Sequence, residues 1–138
     1  MTSLKPPNIL VADDDPEDQD LLIEALLQQS PDVIVKSVWN GQEVLSYLTA
    51  CPDLDLPSLL LLDFKMPILN AVEVLEQLRE DDRYLSIPKV VWSTSNRPEY
   101  INSCLEMGAS LYFTKPNNPK ELSNMTGKVL SLFAGGQV

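Results

Sequence analysis

The chain has 138 residues, 44% of them hydrophobic, which is enough for one domain with its own core and too apolar for a disordered segment. Ten basic residues against twenty acidic give a net charge of −10, a surface that repels nucleic acid and anionic membrane, since both are bound through Lys and Arg. Two isolated cysteines, Cys51 and Cys104, make no CxxC pair and there is no histidine, so neither a disulfide framework nor a zinc site is expected.

Strand and helix signals alternate from the start. Residues 8 to 12, NILVA, are a short apolar run with β-branched residues, which suits a strand covered on both faces, and Asp13 and Asp14 follow it. Asp15 then offers a helix N-cap with Pro16 at the first helical position, and Leu21, Leu22, Ala25 and Leu26 form an apolar face that ends near Ser30 and Pro31. Val33 to Val38 make a second strand, Asn40-Gly41 a turn, and Val44, Leu45 and Leu48 the inner face of a short second helix. After a loop through Pro52 and Pro57, the run SLLLL is the most continuously apolar segment and therefore the central strand, ending at Asp63. Val72, Val74, Leu75 and Leu78 mark a third helix that stops before the Ile87-Pro88 break. The fourth strand, KVVW, leads to Ser93 and Thr94. A fourth helix over 98–107 is closed by Gly108, which suits a left-handed C-terminal cap. A fifth strand over 110–114 precedes Lys115. The last helix starts at Asn118-Pro119 with Glu121 three after the cap, and Leu122, Met125, Val129 and Leu132 keep one face apolar. The final AGGQV is expected to fray.

Strands alternating with helices imply parallel pairing through right-handed crossovers, hence an α/β doubly wound three-layer sandwich. In a parallel sheet all the polar strand ends meet along one edge, where open α/β folds place their ligand sites. Two like charges about 4 Å apart repel by roughly 4 kcal/mol at an effective dielectric near 20, so Asp13, Asp14 and Asp63 need a counter-cation. Oxygen-only ligands favour Mg²⁺, with Mn²⁺ as the alternative, and Lys115 beside them suits a phosphoryl oxygen. The site therefore reads as a divalent metal plus a phosphoryl group.

Five motifs in order carry a resemblance: DDDP, DFKMP, WSTS, MGASLYF and the KP after it. From about Asn8 to Phe133 the chain resembles the receiver domain of a two-component response regulator, most of all the small single-domain regulators of the phytochrome-associated kind. That resemblance implies one receiver domain over 1–138 with a core at about 8–133 and short flexible termini. It also implies the flavodoxin-like fold, a five-stranded parallel sheet in the order 2-1-3-4-5. It makes Asp63 the phosphoacceptor and gives the metal to Asp13, Asp14, Asp63 and the backbone carbonyl of Lys65, with Asp14 binding directly and Asp13 more through water. Lys115 would contact the phosphoryl oxygens, Pro116 would follow a cis peptide bond, and Ser93 and Tyr112 would form the switch pair. Lys65 and Ser95 occupy the positions that tune dephosphorylation, and slow loss of the phosphoryl group is expected.

Lys65, a long cation beside the phosphorylation site, is one departure from the family pattern, and two more bear on the site. Ala71 stands where relatives usually carry glycine, which would strain a backbone that needs positive φ. Thr94 is bulkier than the small residue often found after the switch hydroxyl and narrows access for small phosphodonors. The implied partners are a histidine kinase or histidine phosphotransfer protein and an unnamed downstream protein, without nucleic acid or membrane, and the resemblance allows a homodimer through the fourth helix, fifth strand and fifth helix. The expected role is a stand-alone signalling module rather than an enzyme. A phosphatase with an aspartyl-phosphate intermediate would want an aspartate where Lys65 stands, and a module that is never phosphorylated would not need the full acidic cluster with Lys115. No run approaches the ~18 apolar residues of a membrane span and no signal-like segment opens the chain, so a cytoplasmic location is expected.

Overall fold

The computed structural model describes residues 6 to 134. The termini expected to be flexible lie outside them, apart from Pro6, Pro7 and Ala134, the last of which ends the last helix. Five strands, β1 (Asn8–Ala12), β2 (Ile34–Val38), β3 (Leu59–Asp63), β4 (Lys89–Ser93) and β5 (Leu111–Thr114), alternate with five helices, α1 (Pro16–Gln29), α2 (Gly41–Ala50), α3 (Ala71–Leu78), α4 (Pro98–Glu106) and α5 (Pro119–Ala134). The strands form one parallel sheet in the order β2-β1-β3-β4-β5.

The sheet divides the apolar residues by strand alternation. Ile9 and Val11 of β1, Leu59 and Leu61 of β3, and Val90 and Trp92 of β4 pack with Leu22 and Leu26 of α1 and Met125 and Val129 of α5. The residues between them, Leu10, Ala12, Leu60, Leu62 and Val91, pack on the other face with α2, α3 and Cys104 of α4. Each of the four leucines of β3 is fully buried, which makes it the central strand. Burying one leucine is worth roughly 1.5–3 kcal/mol, so this strand anchors both layers and with them the position of Asp63. Edge strand β2, with Ile34, Lys36 and Ser37 exposed, contributes little core.

Local signals place the helix starts. The Asp15 carboxylate accepts from the Glu17 and Asp18 amides at 2.9 and 3.3 Å, and the Asn118 carboxamide oxygen accepts from Glu121 N at 2.9 Å. Asn70 and Glu73 form a reciprocal capping box at 2.9 Å in each direction. Gly108 has φ 109° after α4, the left-handed cap expected of it.

Several expectations are corrected. Asn40 and Gly41 are not a free turn, because the Asn40 side chain accepts from Glu43 N at 2.8 Å and caps α2. A Cβ on Gly41 would lie 2.7 Å from Leu69 Cβ and 2.8 Å from Val74 Cγ2, so the glycine lets α2 meet the loop before α3. Leu21 is 54% exposed, and Gln19 is buried in its stead. The Gln19 amide donates to the carbonyls of Asp13 and Val38 at 2.8 and 2.7 Å, a pull that rotates α1 to bury Gln19 and turns Leu21 outward. Ala71 carries no positive φ; it is fully buried at the start of α3, and the left-handed conformation falls instead on Ile68, at φ 73°. No peptide bond among the described residues is cis, so Lys115-Pro116 is trans, the isomer that X-Pro bonds favour by about 0.5–1 kcal/mol.

Candidate functional site

Asp13 and Asp63 follow one another across the sheet, since β1 and β3 pair Ala12 with Leu62 and both chains leave the sheet at that edge. Asp13 is fully buried, Asp63 is 6% exposed and Asp14 is exposed. Their oxygens lie within 4.8 Å of one another. One Asp13 oxygen accepts from the Asp15 amide at 2.8 Å, and the other faces Lys115 Nζ at 3.0 Å. Lys115 enters from the far side, its amide donating to the Ser93 carbonyl at 2.7 Å, so the β4 and β5 ends deliver the lysine to the carboxylates. Nζ then reaches Asp63 at 3.4 Å and Asp18 at 2.7 Å. Its fourth neighbour is the Trp92 ring, 4.8 Å from centroid to Nζ.

The electrostatics follow from this packing. Burial, reinforced by the Asp13 charge, pushes the Asp63 carboxyl up to about 7 despite Lys115. Burial also raises Asp13 above the ordinary carboxylate range against its hydrogen bonds. Burial opposes the charge on Lys115, but hydrogen bonds with Asp18 and Asp13 and the charge of Asp63 outweigh it and hold the ammonium above the usual lysine range. A single lysine does not neutralise the cluster. The donor set is oxygen only, with an exposed member in Asp14 and two buried members in Asp13 and Asp63, whose charged forms burial disfavours. These residues fit a hard divalent ion such as Mg²⁺ or Mn²⁺.

Around the cluster, Ser93 is 1% exposed and its Oγ accepts from the Ser95 amide at 3.1 Å. The Tyr112 hydroxyl donates to the Ser95 carbonyl at 2.7 Å, which brings both members of the expected switch pair onto the β4–α4 loop. Thr94 is exposed. Lys65, two residues after Asp63, lies with Nζ 6.0 Å from the Tyr100 ring centroid, and Tyr100 in turn stacks on Phe64 at 4.4 Å. Asp18, Gln19 and Trp92 were not among the residues singled out from the sequence. Asp18 stands in the first turn of a helix capped by Asp15, directly after Asp14, a signal that becomes legible once the helix start is fixed. Trp92 reads as core in KVVW, and only the third dimension turns its ring toward Lys115.

The family model of the response regulator receiver domain matches residues 9–126. The chain belongs to this family. Among relatives, it is 32% identical over 125 residues to two-component response regulator ORR11 of Oryza sativa subsp. indica, covering 91% of this chain and 82% of that one. It is 34% identical over 122 residues to a 14.6 kDa protein of Leptolyngbya boryana, with 88% of each chain covered. Among solved structures it is similar to the phosphorylated cyanobacterial phytochrome response regulator RcpA, with TM-score 0.84, 27% identity and 94% of each chain covered. It is also similar to the Mn(2+)-bound form of response regulator Rcp1, with TM-score 0.79, 27% identity and coverage of 91% and 93%. Receiver domains bind a divalent metal at an acidic pocket and interact with histidine kinases or phosphotransfer proteins, and this receiver presents such a pocket in Asp13, Asp14 and Asp63. No helix among its described residues is long and apolar enough to cross a membrane.

Proposed function

We propose that Asp63 accepts a phosphoryl group from a phosphorylated histidine of a kinase or phosphotransfer protein, and that the phosphorylated receiver signals by contact with another protein. The observation that carries this reading is the convergence of three carboxylates and Lys115 at one sheet edge, with a buried aspartate at its centre. An Asp63 oxygen attacks phosphorus, the phosphorus–nitrogen bond breaks, and the electron pair returns to the imidazole, leaving an acyl phosphate. Asp13, Asp14 and Asp63, with the Lys65 carbonyl as a further ligand, would hold a divalent ion, which would supply positive charge to the transferring group. Lys115 lies within reach to bind phosphoryl oxygens beside Asp63. Ser93 and Tyr112 share the β4–α4 loop through Ser95, so a phosphoryl group that draws the Ser93 hydroxyl disturbs the support of Tyr112 and the surface of α4, β5 and α5. That surface is where a homodimer or a downstream protein would read the change.

The chain on this reading assists its own phosphorylation and dephosphorylation but turns over no separate substrate. Its phospho-form decays slowly, because Lys65 and Ser95 flank the acyl phosphate and restrict water. Intact mass after incubation with acetyl phosphate and Mg²⁺ tests the reading. A gain of one phosphoryl group that is acid-stable, base-labile, abolished by EDTA and absent in Asp63→Asn is the expected result. No gain, followed by none from a phosphorylated histidine kinase, would reject the phosphoacceptor. A phospho-form lifetime of seconds would reject slow decay alone.

A further inference from the structure

Lys115 has three carboxylates around it, and the nearest is not the proposed phosphoacceptor. Asp18 lies at 2.7 Å and Asp13 at 3.0 Å, both hydrogen-bonded, whereas Asp63 lies at 3.4 Å, long for a hydrogen bond. Asp18 belongs to the first turn of α1, a different element from the strand ends that supply the other two. Its side chain is 30% exposed while that of Lys115 is 11% exposed, so the lysine is largely buried in this pair. The indole of Trp92 also lies beside the ammonium, with its centroid 4.8 Å from Nζ, inside the about 6 Å over which a ring face attracts an ammonium. The indole N–H of Trp92 is buried and has no hydrogen-bond partner, so its ring face is what it offers the site.

The geometry points to Asp18 and Trp92 as positioning residues that hold Lys115 short of Asp63 in the unphosphorylated receiver, so that phosphoryl capture requires the lysine to exchange the Asp18 carboxylate for phosphoryl oxygens. This deepens the phosphoacceptor reading and rests on it for its consequence. Asp13 cannot play the same part, because it lies in the carboxylate cluster itself, and Glu17 in the same turn as Asp18 makes no ion pair with Lys115. The competition is between two anions for one ammonium. Removing Asp18 therefore makes the lysine more available to a phosphoryl group, whereas removing a charge that does not touch the lysine changes only the general potential.

Two measurements test it, with Asp18→Asn as the isosteric variant, Asp18→Glu as the charge-retaining rescue and Glu17→Gln as the control. The first is emission of Trp92 in a Trp39→Phe background, which leaves it the sole tryptophan, without metal or phosphodonor. Asp18→Asn is expected to change its emission as the ammonium moves, while Asp18→Glu and Glu17→Gln leave it as in the parent. The second is the affinity for beryllofluoride with Mg²⁺, a stand-in for the phosphoryl group. It should tighten about two- to fivefold in Asp18→Asn relative to Glu17→Gln, the range for losing a partly exposed ion pair, and return with Asp18→Glu. Asp18→Asn behaving as Glu17→Gln in both measurements overturns the proposal. Failure of the parent protein to gain a phosphoryl group would sink the phosphoacceptor reading instead, and the metal-free emission comparison would still decide whether Asp18 holds Lys115.

Discussion

Ile68 is a β-branched residue at φ 73°, 70% exposed, on the loop between Asp63 and α3. Left-handed backbone costs an L-residue roughly 1–2 kcal/mol, and no burial of this side chain offsets it. Ile68→Asn should therefore stabilise the protein by about 1 kcal/mol and raise its urea midpoint, because asparagine tolerates this region; an unchanged or lower midpoint would refute the strain. Asp63 carries a second residue-scale consequence. Its folded pKa is raised from 3.8 to about 7 by burial and by Asp13, so the native state prefers the acid form. The stability this group contributes is fully present below about 3.8 and is lost as pH rises through about 7, at most about 4 kcal/mol. In EDTA, Asp63→Asn should stabilise the protein markedly at pH 8 and about half as much at pH 5.5. Equal effects at both values in chemical denaturation would disprove the shift. The sequence showed which residues would cluster, since each ends an apolar run. It did not show Asp18, whose part depends on where α1 passes the site, nor that the strain expected at Ala71 rests three residues earlier.

Among the elements, α2 and α3 are placed by side chains that a sequence reading treats as turn formers. Asn40 caps α2 and Gly41 lets it approach Leu69 and Val74, so Gly41→Ala forces an overlap that only backbone movement relieves. Overpacking of this kind costs typically 1–3 kcal/mol, and a loss in that range by thermal or urea unfolding is expected. A neutral Gly41→Ala would show that the α2–α3 contact is soft. Helix starts were legible where a cap and a proline stood together, as at Asp15-Pro16 and Asn118-Pro119, but not at Asn40 or Asn70, whose caps rest on the acid three residues later. The direction in which a helix faces was less so. Gln19 is polar by composition yet buried, because two carbonyls at the sheet end need a donor, and Leu21 is exposed for the same reason.

For the whole molecule, three carboxylates at the site, Asp13, Asp18 and Asp63, share one lysine within a chain of net charge −10. A divalent ion that binds only the folded form should stabilise it by about 2.7 kcal/mol at one hundred times its dissociation constant. Mg²⁺ should thus raise the melting temperature of the native protein and do so far less in Asp63→Asn. The shift should shrink as pH falls below about 7, where the proton competes for Asp63. A melting temperature indifferent to Mg²⁺ would argue against the metal site.

What the sequence determined by itself was local and periodic. Apolar runs of strand length, caps, prolines and the left-handed Gly108 set the order of elements, and their alternation set the parallel sandwich, because each signal acts over a few residues. Strand order came from the family motifs and agrees with the sheet observed. The tertiary structure alone decided which groups share a charge. Lys115 lies 97 residues from Asp18 and 102 from Asp13, yet touches both. Coulomb and burial energies depend on distance in space, which no spacing along the chain encodes.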